Sequence, residues 1–102
     1  MVDDFEAHVG RALDLLPPEL GRRLENVAVV VEDENPREPH LLGLFESAPF
    51  MPRKITIYRL PLEEDFGHDP DELERQIRIT VLHELAHYFG LDERQLADLG
   101  YG

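Results

Sequence analysis

The sequence predicts an α+β domain in which a small mixed sheet packs against an N-terminal helix and a long helix near the C-terminus. Three observations predict it: a helical apolar period at the start, β-branched runs in the middle, and a strongly capped helical segment late in the chain.

In residues 3–16, Phe5, Val9, Ala12, Leu13 and Leu16 recur at helical spacing, and Pro17-Pro18 ends the helix. A short helical turn follows over Glu19–Leu24, with Pro18 near its start. Val27–Val31 is an uninterrupted apolar run, the pattern of a strand covered on both faces. Glu32–His40, rich in acids and with two prolines, reads as a loop. Leu41–Phe45 predicts a short strand, and the prolines of Ser47–Pro52 break the chain again. Lys54–Leu60 alternates, Ile55 and Ile57 against Thr56 and Tyr58, which predicts a half-exposed strand at a sheet edge. Residues 61–68 read as an acidic loop. Asp69 then supplies an N-cap, Pro70 the first helical position and Glu72 the far end of a capping box. This helix should run to about Phe89 and stop at Gly90 in a left-handed cap, before a last short helix over Glu93–Leu99.

At 102 residues the chain suits a single domain, 1–102, burying roughly 65% of the surface that its unfolded form exposes. It has no cysteine, so any metal must be held by His, Asp or Glu. Acidic residues follow Met1, the reverse of a signal peptide's basic front, and no apolar run approaches a membrane span. A cytoplasmic protein without membrane contact is expected. The net charge of −12, from 22 acidic against 10 basic residues, repels nucleic acid, and Arg22-Arg23 and Arg53-Lys54 are pairs rather than a basic patch.

His83-Glu84-Leu85-Ala86-His87 carries the chemistry. On a helix, residues four apart differ by only ~40° in direction, so two imidazoles project from one face and can share an ion. Glu84 points further round, where it can reach a water in the ion's open position. Zinc lowers the pKa of such a water from 15.7 toward ~7, and a carboxylate then takes its proton as general base. Ile77, Ile79, Val81, Leu82, Leu85, Ala86, Tyr88 and Phe89 form an apolar arc of roughly 200° on this helix. Gln76, Thr80, His83, Glu84 and His87 share the remaining sector, where buried polar groups need water, a metal or each other. A zinc hydrolase normally has a third protein ligand. Glu93, three residues past the helix stop at Gly90, is the first candidate, Asp92 the second, with His68 and Asp98 behind them. Asp92 or Glu93 would equally serve as a cap for the last helix. Two histidines and a carboxylate also suit manganese or iron.

At these residues the chain resembles the zincin metallopeptidases, and more closely a family of small bacterial zincin-like proteins marked by H-E-x-x-H-x-x-G-x-x-D. The likeness includes Leu-Pro-Pro-Glu-Leu (16–20), Asn-Val-Ala-Val-Val-Val-Glu-Asp (26–33), Leu-Leu-Gly-Leu-Phe-Glu (41–46) and the segment 80–91. The resemblance implies a compact minimal zincin-like fold, a zinc cofactor and peptidase activity on a peptide or an extended protein segment. It matches His83 and His87 to the metal ligands and Glu84 to the catalytic base. Glu93 stands where the family usually has Asp. The resemblance also implies that substrate pairs with an edge strand, for which Ile55–Leu60 is the sequence's candidate. Metzincins share the motif through Gly90 but add a methionine turn downstream, and no Met follows Glu93; gluzincins take a glutamate from a second helix well beyond the motif.

Two other functions compete with a metallopeptidase. One is a zinc-binding or interaction module without catalysis, which an open coordination position argues against. The other is a metal-dependent endoribonuclease, which has glycine where Glu84 stands here and a further His that this chain lacks.

Overall fold

The computed structural model describes residues 4–90 and 92–98. Its elements run α1 (Asp4–Asp14), α2 (Pro18–Arg23), β1 (Val27–Glu32), β2 (Gly43–Glu46), β3 (Arg53–Tyr58), α3 (Arg59–Phe66), α4 (Pro70–Phe89) and α5 (Glu93–Asp98). The strand order is β1-β3-β2, with β1 parallel and β2 antiparallel to β3, so the α+β expectation with a mixed sheet holds. Among the described residues no helix is long and apolar enough to cross a membrane. Leu99, the expected end of the last helix, lies outside the described residues.

The core lies between one face of the sheet and the helices α1 and α4. Phe5, Val9, Ala12 and Leu16 of the opening segment meet Leu73, Ile77, Val81, Leu82, Leu85 and Ala86 of α4 over Ile55 and Ile57. At roughly 25 cal/mol per Å² of apolar surface, burying each such Leu or Ile contributes about 1.5–3 kcal/mol before entropy is counted. Ile79 departs from the expected apolar arc and is half-buried. The side chains of Tyr88 and Phe89 lie outside the described residues.

Three expectations are corrected. The segment 53–58 is the centre of the sheet, not its edge: Ile55, Thr56, Ile57 and Tyr58 are all buried. The polar members of its alternation, Thr56 and Tyr58, face a second covered side, where the Tyr58 hydroxyl accepts from Asn35 Nδ2 at 3.0 Å. Asn35 also organises its own loop, its Oδ1 accepting from the amides of Arg37 and Glu38. Conversely, the valine run of β1 is an edge strand with only Val27 fully buried, Ala28 exposed and Val29–Val31 half-buried. Finally, residues 61–66 belong to α3 rather than to a loop. Pro61 sits in its first turn, where the missing N–H would have found no intrahelical acceptor, and Arg59 pairs with Glu63 one turn on.

Both ends of α4 form as its sequence demands. Asp69 accepts from the amides of Asp71 and Glu72. At the other end Gly90 takes φ 69°, the left-handed conformation that favours glycine, and its N–H returns to the Ala86 carbonyl.

Candidate active site

The α4 helix is unbroken from Pro70 to Phe89, so positions 83 and 87 share one face a turn apart. His83 and Glu84 are half-buried. The side chains of His87 and Glu93, both expected metal ligands, lie outside the described residues; their backbones belong to the last turn of α4 and the first residue of α5. By residue type, two histidines and a glutamate are chemically suited to zinc. Among the described residues no group of three His, Asp or Glu could hold a metal by itself.

The remaining polar positions of this sector find partners within the protein. Thr80 Oγ1 donates to the Gln76 carbonyl at 2.8 Å, and Gln76 Nε2 donates to Glu72 at 2.8 Å. Glu84 does something that the sequence did not announce: its Oε1 accepts from the backbone N–H of Phe45 at 3.0 Å. The strand geometry explains why that amide is available. Tyr58 N–H donates to the Leu42 carbonyl at 2.9 Å, and the antiparallel register pairs Leu44 with Thr56. Even-numbered positions of this segment therefore bond to β3, while Gly43 and Phe45 turn their amides toward the outer edge. The candidate base is thus tied to an edge strand by a charge-assisted hydrogen bond, the stronger kind.

Of the candidates for a third ligand, Asp92 has a second role at the start of α5. Asp92 Oδ1 accepts from Gln95 N–H at 2.8 Å, and Gln95 Oε1 accepts from Asp92 N–H at 2.9 Å. This reciprocal pair is the capping box of α5, so Asp92 takes the capping role. His68 and Asp98 are exposed, one just before α4 and the other at the end of α5.

A groove of about 450 Å³ adjoins Phe45, lined also by Ala28, Ser47, Met51, Pro52 and Lys54. It borders the edge strand; neither His83 nor Glu84 lines it.

Residues 24–102 match the family described as zincin-like metallopeptidase. The chain belongs to that family. No curated protein matches it. The match takes in the whole sheet, α3, α4 and α5, and leaves α1 and α2 outside it. The sequence resemblance extends further, into Leu16–Leu20.

Proposed function

We propose that this zincin-like protein is a zinc-dependent peptidase in which His83, His87 and Glu93 hold the metal and Glu84 is the general base. A bound zinc would supply Lewis-acid polarisation of the scissile carbonyl and lower the pKa of the attacking water. The protein's own part is to orient the base, to receive the proton and to pass it to the departing amine. The observation that carries this reading is the Glu84–Phe45 hydrogen bond, which sets the carboxylate beside the outer edge of β2. β2, not the segment 55–60, is then the strand to which an extended peptide would add, by main-chain pairing along its edge. The groove next to Phe45 offers partly apolar walls for a substrate side chain. The acidic net charge disfavours nucleic acid as the partner.

Metal analysis of the purified protein, with His83→Ala as control, followed by a screen of quenched peptides, tests the reading. One zinc per chain that disappears in His83→Ala, with peptide cleavage lost in Glu84→Gln while zinc stays, is the expected result. Undiminished cleavage in Glu84→Gln rules the mechanism out.

A further inference from the structure

The edge strand can lie close enough to α4 to hold Glu84 only because residue 43 has no side chain. A Cβ built on Gly43 would stand 2.5 Å from Thr80 Cγ2, well inside contact distance, and 3.3 Å from the Thr56 carbonyl oxygen. The same point is 3.6 Å from Glu84 Cγ, so the strand rests directly on the helix at positions 80 and 84. Backbone conformation does not call for glycine here: among the described glycines positive φ belongs to Gly90. Space does. Nor can Thr80 readily turn its methyl aside, because its hydroxyl is held by the Gln76 carbonyl at 2.8 Å. Two residues along the strand, the Phe45 amide meets the Glu84 carboxylate.

We propose that Gly43 is a positioning residue for the reaction: by letting β2 seat on Thr80 it sets the reach from the Phe45 amide to Glu84, and so fixes the base. This rests on the peptidase reading of Glu84. A side chain at 43 lifts the strand from the helix, stretches the amide–carboxylate bond and shifts the Glu84 carboxylate from its place beside β2. It does not touch the imidazole pair, so metal binding is kept.

The test uses the 102-residue chain with Gly43→Ala, and with Gly43→Ala combined with Thr80→Ser. The serine removes the methyl that the new Cβ would strike and keeps the hydroxyl for the Gln76 carbonyl. In the metal-free protein, hydrogen exchange at the Phe45 amide should quicken roughly tenfold or more in Gly43→Ala, as expected when a charge-assisted hydrogen bond is lost. Zinc affinity should stay within about twofold, and kcat should fall roughly 10- to 100-fold with little change in KM, the signature of a displaced catalytic group. The double variant should regain both the slow exchange and most of kcat. Wild-type exchange at Phe45 in Gly43→Ala overturns the proposal, and so does a double variant that recovers neither quantity. Should Gly43→Ala fail to fold, the double variant is compared with Thr80→Ser alone, and equal exchange at Phe45 is required. If the wild-type protein cleaves no peptide, the peptidase reading fails, while the exchange comparison still decides whether Gly43 holds Glu84 in place.

Discussion

In its first half α4 faces α1, and there the polar groups pair with other side chains. His8 Nδ1 lies 2.7 Å from Glu74 Oε1 and 2.9 Å from Arg11 Nη2. Arg11 Nε donates to the same oxygen. In its second half the helix faces β2, and its carboxylate, Glu84, is held by a backbone amide instead. Side-chain pairs fix one helix against another and can be exchanged for other pairs with modest loss. A carboxylate held by an edge amide is placed relative to a strand, which is the element an extended substrate would join. The first arrangement serves stability, and the second serves position.

Substitutions in the two halves should therefore separate activity from stability. The largest effect belongs to Glu84→Gln, which keeps an oxygen for the Phe45 amide. Peptide turnover should drop by roughly 10²- to 10⁴-fold, the usual worth of a general base, with the thermal midpoint moved by only a few degrees. A large fall in the midpoint would show that Glu84 is structural and would erase the distinction. Next comes Leu73→Ala in the first half, where a buried side chain is lost; calorimetry should show about 2–5 kcal/mol of destabilisation, with zinc content and turnover of the folded fraction unchanged. Asp69→Ala, which removes the N-cap of α4, should cost about 1 kcal/mol by denaturant titration.

The smallest effect is the one that depends on pH. Arg11, and after it His8, hold the Glu74 carboxyl below its ordinary value of 4.5, against the opposing effect of burial. Because the folded-state value is the lower one, the ionised carboxylate stabilises the protein above the ordinary value, and that contribution is lost as pH falls through the folded-state value. With Arg11 more than half exposed, about 1 kcal/mol or less is expected. Melts of wild type and Glu74→Gln should differ at pH 7 and draw together as pH falls below 4.5. A gap that widens on acidification would mean that another group governs this contact.

How much of this was legible in the sequence varies by element. The first helix and α4 were, because apolar period and capping chemistry are local and agree with each other at Phe5–Leu16 and Asp69–Gly90. The ranks of the strands were not. A valine run and an alternating run report how many faces are covered, but β3 became central through its neighbours, and Asn35 reaching Tyr58 is a contact across distant segments. The helix α3 was hidden because Pro61 and the acids around it resemble a break unless the proline is placed in the first turn. At the site, spacing singles out His83, Glu84 and His87 as candidates. The Phe45 amide was not, since every non-proline residue carries one and only the fold selects which faces a carboxylate. The Asp92–Gln95 box was within reach: an acid followed three residues later by Gln is a recognised start signal.

The mixed strand order has a consequence for the route by which the chain finds its structure. β2 and β3 are joined through residues 47–52, whereas β1 must wait for the whole of 33–52 to close before it can pair with β3. The longer closure costs about 1 kcal/mol more in chain entropy, so the antiparallel hairpin should assemble first and the parallel partner dock onto it afterward. The seam that carries Phe45 would then exist early, and the valine strand would be the last to be sealed.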